Sequence, residues 1–314
     1  MDNVSIKVNG IKKHYRETIA VDGISFEVQS GSIFGMLGPN GAGKTTTIEM
    51  IIGLVKKDEG DIDILGYSPD KDLDTIKRLV GVQLQIPSLY PRLKVTEILS
   101  LFASFYENPM DVNSVIQQIG LEEKANTLVK NLSGGQKHRL AIGLAIVGNG
   151  KIVFLDEPTI GLDPQTRRQL WLTIKDLKSQ GKTIFLTTHY MDEAEHLCDD
   201  LVIIDKGKVI AQGSPKKLID EYTLETAVEF NDPGFSPVEK EQIKALAATG
   251  NGSIEFKDGR IAIYSSDIVP IIQSLLDFTK QNHKAISDMM IRKSSLEDVF
   301  LKLTGRELES EKNV

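Results

Sequence analysis

Ile33-Phe34-Gly35-Met36-Leu37-Gly38-Pro39-Asn40-Gly41-Ala42-Gly43-Lys44-Thr45-Thr46 is the stretch on which the fold turns. Residues 33–37 form a short apolar run of buried-strand type, a glycine-rich loop follows, and residues 45–55 place apolar side chains at helical spacing. The loop from Gly38 to Thr45 has the spacing of a phosphate loop and stands where that motif works, after a buried strand and opening a helix. Its glycines remove side chains so that successive backbone N–H groups can converge on an anion, and the helix N-terminus adds a favourable dipole. Lys44 is the residue to neutralise β- and γ-phosphates, and the Thr45 hydroxyl is the one to bind magnesium.

A second stretch gives the first its chemistry. Ile152-Val153-Phe154-Leu155-Asp156-Glu157 is an apolar strand ending in two carboxylates, at the end of a strand where ligands collect in a parallel α/β sheet. Asp156 suits magnesium, directly or through water, and Glu157 suits the orientation or deprotonation of an attacking water. Phosphate loop and acidic strand end together read as a nucleoside-triphosphatase.

The rest of the chain fits around this pair. Its 314 residues are enough for about two domains. A net charge of −7 gives no overall positive field, so nucleic acid is not expected as a partner. The single Cys198 rules out an intrachain disulfide framework and suits a small buried side chain. Residues 1–5 offer no apolar signal-peptide core, and the longest apolar run, 140–148, is far short of the roughly 20 residues of a spanning helix. Residues 4–8 and 24–28 alternate as strands of a small antiparallel sheet, with a turn at Asp22-Gly23. Residues 73–79, 95–105 and 112–119 are helical, the last stopped by Gly120. Residues 151–155, 183–187 and 201–205 are strands separated by helices at 164–180 and 191–197, which implies a parallel sheet covered on both faces. From about 223 a new series runs strand 224–230, helix 238–248, strands 253–256 and 261–264 around Asp258-Gly259, helix 268–280 and strand 286–291. That β-α-β-β-α-β order is the ferredoxin-like split unit. Ser295-x-x-Asp298 opens a last helix with a capping box in which Asp replaces Glu.

Leu132-Ser133-Gly134-Gly135-Gln136 decides which triphosphatase this is: Ser133 caps a helix whose glycines bare further N–H donors, a second anion-binding terminus. Over roughly residues 4–220 the chain resembles the ATP-binding cassette family, whose hallmark is this pentapeptide between the phosphate loop and the acidic strand. The resemblance implies an α/β fold with a P-loop NTPase core, a parallel sheet flanked by helices, an antiparallel β subdomain and a helical insertion. The ATPase domain takes residues 1–222, with its helical subdomain at about 85–145, and residues 223–314 form a small C-terminal α+β domain. ATP and Mg2+ are the implied nucleotide and cofactor. Gly38, Pro39, Asn40, Gly41, Ala42, Gly43, Lys44, Thr45 and Thr46 would hold the phosphates and Tyr15 would stack on adenine. Thr45, Gln85 and Asp156 would hold the metal. Gln85 would also sense the γ-phosphate and water, and His189 would contact the γ-phosphate and brace Glu157. Gln83 competes with Gln85, and alignment on Leu89-Tyr90-Pro91 favours Gln85. Asp163 would lie in a loop crossing to a partner subunit. His14, His138, His196 and His283 have surface roles on this reading, and Asp192-Glu193-Ala194-Glu195 are acids in a helix's first turn.

One chain carries one phosphate loop and one pentapeptide, which in this family do not complete the same site. The resemblance therefore implies two chains, a homodimer in the simplest case, meeting head to tail around ATP, so that Ser133, Gly134, Gly135 and Gln136 serve the partner's nucleotide. It implies separate transmembrane permease subunits as the load, docked near the apolar Ile86-Pro87-Ser88-Leu89-Tyr90, and a place on the cytoplasmic face of the cell membrane. Residues 294–306 resemble the ending of bacterial drug-exporter-type ATPase subunits. The C-terminal domain carries no catalytic constellation and reads as regulatory or dimer-stabilising, with plain packing as the alternative. Two competing functions are a non-transport ATPase of the same class and a nucleotide-gated sensor. The first lacks a second cassette or a long coiled coil here, and the second has no need of Glu157 and His189.

Overall fold

The computed structural model describes residues 4–85, 89–223, 226–249, 252–257 and 259–305. Ile86, Pro87 and Ser88 of the apolar patch, and Leu224, Asp258 and Arg306 of the C-terminal expectations, lie outside them.

Two sheets build the first compact unit, Met1–Ser214. Long alternating strands β1 (Val4–Tyr15) and β2 (Thr18–Gln29) pair antiparallel, and β4 (Glu59–Ile64) adds to β1. Fully buried β3 (Ile33–Leu37) starts the second sheet, with β5 (Val80–Gln83), β6 (Ile152–Asp156), β7 (Thr183–Thr188), β8 (Asp200–Asp205) and β9 (Lys208–Gly213) in the order β5-β6-β7-β3-β8-β9. All its pairings are parallel except β8 with β9, so the sheet is mixed at one edge. Stacked and tilted rings fasten the two sheets together: Phe26 of β2 lies 5.1 Å from Phe34 of β3, which lies 5.6 Å from Phe185 of β7, itself 5.5 Å from Phe154 of β6. Burying such rings removes the largest apolar surfaces available to a core from water.

Helices complete this unit. They are α1 (Lys44–Ile51), α2 (Leu73–Leu79), α3 (Val95–Ala103), α4 (Val112–Gln118), α5 (Gly134–Ile146), α6 (Pro164–Ser179) and α7 (Met191–Leu197). Of these, α1, α2, α5, α6 and α7 pack on the parallel sheet, and α3 and α4 pack on each other and on α5. In α6, Leu170, Ile174 and Leu177 are buried at helical spacing. In α5 every residue from Leu140 to Ile146 is buried, so this helix sits inside the fold. Gly120 stops α4 in a left-handed conformation, φ 61°, as the sequence predicts.

β4, β5 and β9 extend the expected strand list. β5 has four residues and lies on the sheet edge beside α5, too short for its alternation to separate it from the loop that follows. β8 and β9 meet through Lys206 and Gly207, both at positive φ, a hairpin turn of primed type.

The second unit is Pro215–Val314, so its first helix α8 (Pro215–Tyr222) lies before the expected boundary at 222/223. Leu218 of α8 is buried, and α8 packs on α11 (Leu296–Thr304) within this unit. Strands β10 (Thr226–Asn231), β11 (Ser253–Lys257), β12 (Arg260–Ser265) and β13 (Met290–Lys293) are antiparallel in the order β11-β12-β10-β13, with α9 (Pro237–Thr249) and α10 (Ile268–Gln281) between them in the chain. Val228, Phe230, Ile261 and Ile263 pack with Ile243, Ala247, Ile271 and Leu275 of the helices. β13 starts four residues later than the expected strand at 286, because Ile286 and Met289 pack against the core before pairing begins at Met290 opposite Glu229. Ser295 and Asp298 form the expected capping box of α11.

The contact between β5 and α5 is the tightest in the first unit: a Cβ on Gly81 would stand 1.8 Å from the carbonyl oxygen of Ala145. Gly81→Ala must push α5 off the strand, an overpacking cost of about 1–3 kcal/mol. Chemical denaturation should show that loss as a lower midpoint at unchanged slope.

Candidate active site

β3 ends at Leu37 and the chain turns through Gly38 to Gly43 before α1 opens at Lys44. Gly43 at the N-cap has φ 105° and Gly41 φ 79°, values that strain any side chain. A Cβ on Gly38 would lie 2.4 Å from Ile204 O, and one on Gly43 2.5 Å from Ala20 O. The loop is therefore a bare backbone cradle at a helix N-terminus. Lys44, 5% exposed, reaches back across it: Nζ donates to Gly38 O at 2.8 Å and Pro39 O at 3.1 Å, and stands 3.1 Å from Glu157 Oε1.

β6 delivers the two carboxylates beside that lysine. The Thr45 hydroxyl donates to Asp156 Oδ2 at 3.1 Å, and Thr187 donates to Asp156 Oδ1. Burial pushes the Asp156 carboxyl up, against the pull of these two hydroxyls. Glu157 follows in a left-handed conformation, φ 47°, rare for a residue with a side chain. Its N–H donates to Thr187 Oγ1 at 3.0 Å and Thr187 O at 3.2 Å. Gln85 Nε2 donates to Glu157 Oε2 at 3.3 Å, and His189 Nδ1 stands 3.2 Å from the same oxygen, off the alignment of a hydrogen bond. Burial would raise the Glu157 carboxyl, but the His189 ring and the Lys44 ammonium hold it down to about 2. A hydroxyl and a carboxylate, both hard oxygen donors, thus converge at the mouth of the cradle. Such donors suit a divalent cation, and among the described residues no group of three or more His, Cys, Asp or Glu could hold a metal by itself.

Lys44, Thr45, Gln85, Asp156, Glu157 and His189 are thus brought to one place. Of the two glutamines, Gln85 reaches Glu157, while Gln83 is buried and donates to Leu84 O. Tyr15 ends β1 with a half-open ring, and Lys13 Nζ lies 5.5 Å from its centroid. Ser133 to Gln136 stand apart. Ser133 Oγ accepts from Gln136 N at 3.3 Å, Gln136 Oε1 accepts from Ser133 N at 3.0 Å, and a Cβ on Gly135 would meet Thr166 Cγ2 at 2.6 Å. Among the described residues no hydrogen bond or ion pair joins this terminus to Lys44, Thr45, Asp156 or Glu157. Asp163 caps α6, accepting from Gln165 N and Thr166 N.

Three residues have surroundings that the sequence reading does not give. His138 is half-buried, and its Nδ1 lies 3.1 Å from Pro158 O, behind the acidic pair. Glu193 lies in the first turn of α7, as the sequence predicts, but not on its surface. It is wholly buried and accepts from Trp171 Nε1 at 3.0 Å. Thr187, in the sequence only the end of a strand, touches the Asp156 carboxylate and the Glu157 backbone N–H; its hydroxyl directly before Thr188-His189 is the signal that points to it.

The folded Glu157 carboxyl titrates near 2 against an ordinary 4.5. Its stabilising attraction is therefore present above about pH 4.5 and lost as the pH falls toward 2. Denaturation of nucleotide-free protein should find Glu157→Gln less stable than the unmodified chain at pH 7, with the gap closing across that interval. A gap independent of pH would mean that neither His189 nor Lys44 holds this carboxyl down.

Known proteins match this arrangement. The sequence model described as "ABC transporter" fits residues 21–160. The Nod factor export ATP-binding protein I of Ralstonia nicotianae is 36% identical over 96% of this chain and 94% of its own length. The linearmycin resistance ATP-binding protein LnrL of Bacillus subtilis is 35% identical over 96% and 99%. A solved dimeric structure of an ATP-binding cassette in a post-hydrolysis state, bound to ADP and Pi, superposes with a TM-score of 0.61 at 26% identity, covering 67% of this chain and 98% of that one. With phosphate cradle, acidic strand end and capped pentapeptide all in place, the chain belongs to the ATP-binding subunits of the ABC transporter family.

Proposed function

We propose that two copies of this chain close head to tail around ATP, hydrolyse it, and so drive export through separate transmembrane subunits at the cytoplasmic face of the membrane. The observation that carries the reading is the separation of two anion-binding helix termini. One, at Lys44, lies against the acidic pair; the other, at Ser133 to Gln136, has no partner among those residues. Two such chains facing each other would each complete the other's site.

In this reading the N–H groups from Gly38 to Thr46 cradle the phosphates, Lys44 neutralises the β- and γ-phosphates, and Tyr15 offers its face to adenine. Thr45 and Asp156, with Gln85, would hold Mg2+, which when bound would neutralise phosphate charge. Lys44 exchanges Glu157 and the loop carbonyls for phosphate. Glu157, released from its counter-ion, takes a proton from the attacking water, and His189 braces it. Ser133, Gly134, Gly135 and Gln136 of the facing chain close on the γ-phosphate, and Asp163 lies along the shared face. Closure follows from the higher affinity of the paired state for ATP, and loss of the γ-phosphate reopens it.

Export is supported by the names of the two relatives, one of Nod factor export and one of linearmycin resistance. No helix among the described residues is long and apolar enough to cross a membrane, which fits a load carried by other chains. The order β11-β12-β10-β13 supports a split β-α-β-β-α-β unit for the C-terminal domain, with a regulatory or dimer-stabilising role.

Glu157→Gln should bind ATP without hydrolysing it and accumulate as a dimer in size-exclusion chromatography. If ATP leaves this variant monomeric where the unmodified chain hydrolyses, the reading is wrong. Mixing tests the head-to-tail geometry. Lys44→Ala and Ser133→Arg chains should each be inactive alone, yet random pairing restores about a quarter of the sites, because one site of each mixed pair is intact. A site built within one chain would gain nothing from mixing.

A further inference from the structure

One hydroxyl serves both acidic residues of the site. Thr187, at the end of β7, is fully buried and lies beside Asp156 in the parallel register of β6 and β7. A threonine hydroxyl has one proton to give and lone pairs to receive. Here the proton goes to Asp156 Oδ1, and the oxygen receives the N–H of Glu157 at 3.0 Å. Both capacities are used on residues adjacent in sequence and different in task.

The consequences for the two carboxylates differ. Asp156 has its Oδ1 tied to Thr187, which fixes the rotation of the carboxylate and turns Oδ2 toward the Thr45 hydroxyl, 3.1 Å away. Without that tie the carboxylate loses one of the two contacts that set its rotation, and Oδ1 loses a donor at a buried position. Glu157 is held differently, through its backbone. Its positive φ of 47° costs of order 1 kcal/mol or more for a residue with a side chain, and such a conformation persists only where neighbours over-determine it. Thr187 supplies that determination twice, through Oγ1 and through its own carbonyl at 3.2 Å. The turn sends the Glu157 side chain toward Lys44, Gln85 and His189.

We propose that Thr187 is a positioning residue for ATP hydrolysis, its hydroxyl setting the metal-facing oxygen of Asp156 and the backbone of Glu157 in one contact. The inference rests on the reading of Asp156 as a residue that holds magnesium. It requires the hydroxyl itself and not the volume of the side chain, so Val, which has nearly the same shape, should fail where Ser succeeds.

The test uses the full-length chain and three variants, Thr187→Val, Thr187→Ser and Asp156→Asn. The equilibrium binding of a fluorescent ATP analogue is titrated with Mg2+, and hydrolysis and thermal melting are measured alongside. Thr187→Val should need about tenfold more Mg2+ for half of the metal-dependent change in binding, the size of effect expected for one hydrogen bond to a charged group. Its kcat should fall by about tenfold or more while KM for ATP stays within about threefold. Thr187→Ser should restore most of both. Unchanged Mg2+ dependence and kcat in Thr187→Val, beside an impaired Asp156→Asn, would overturn the inference alone. Equal impairment of Val and Ser with lowered melting and unaltered Mg2+ dependence would overturn it too, leaving Thr187 a packing residue. An Asp156→Asn chain with the metal dependence of the unmodified protein would remove the magnesium reading and this inference together. If Thr187→Val does not fold, Thr187→Cys, which keeps the size of Ser but donates weakly, is held to the same criteria.

Discussion

The attraction between the Lys44 ammonium and the Glu157 carboxylate, two buried charges 3.1 Å apart, is the contact on which the rest of the site depends. Neither charge tolerates burial alone, because taking an unpaired ion out of water costs several kcal/mol even after relaxation. Each therefore needs the other until phosphate arrives, and both need the loop that brings them together. The cradle exists because β3 stops at Leu37 and glycines carry the chain over Ile204 and Ala20 where no side chain fits. The carboxylate arrives because β6 runs parallel to β7, and Glu157 turns out of line at its end. On the reading proposed above, this pairing is also part of what keeps the base out of use: the His189 ring and the Lys44 ammonium both hold the carboxyl down, and phosphate that claims Lys44 removes one of the two.

The geometry around that pair is rigid for reasons of packing. The rings of Phe26, Phe34, Phe154 and Phe185 tie the antiparallel strands to three adjacent strands of the parallel sheet. Those three, β3, β6 and β7, are the strands whose ends carry the phosphate loop, the acidic pair and His189. A site built on strand ends of one sheet holds its groups better than one built on free loops, because the hydrogen-bond ladder fixes their relative register. Ile152 faces Thr183 and Asp156 faces Thr187 along the same ladder, so a one-residue slip would carry the Asp156 carboxylate and the Glu157 N–H off Thr187.

Much of this was legible in the sequence because local pattern and chemistry agreed. The apolar run at 33–37, the loop spacing and the carboxylates after 152–155 each name their element and their place in it, and they converge on one cluster. Short elements escaped where pattern is thin. β5 has four residues, and the start of β13 is masked by apolar Ile286 and Met289, which serve the core and not the ladder. Side-chain partners escaped for another reason. Nothing in Asp192-Glu193-Ala194-Glu195 distinguishes the exposed Asp192 from the buried Glu193, because the difference lies in Trp171, some twenty positions earlier. Thr187 and His138 likewise acquire meaning from β6 and from Pro158, distant in sequence.

On the reading proposed above, the capped terminus at Ser133 is the second half of a site and needs little rearrangement to serve as one. Ser133 and Gln136 satisfy each other, N–H to Oε1 and N–H to Oγ, so the helix start is already formed without a ligand. What remains at its first turn are the N–H groups of Gly134 and Gly135, which no intrahelical partner can take. At Gly134 a Cβ would meet nothing within 4 Å, whereas at Gly135 it would strike Thr166 in α6, the helix that Asp163 caps. One glycine thus keeps the terminus open outward, and the other lets it sit close against the loop that follows the acidic pair. A preformed donor pair loses little conformational entropy on meeting an anion. Binding strength on that side then depends on where the anion is held and not on folding the terminus around it. On that reading, control of closure lies with Lys44, Thr45 and the acidic pair, the half of the site in which buried charge is at stake.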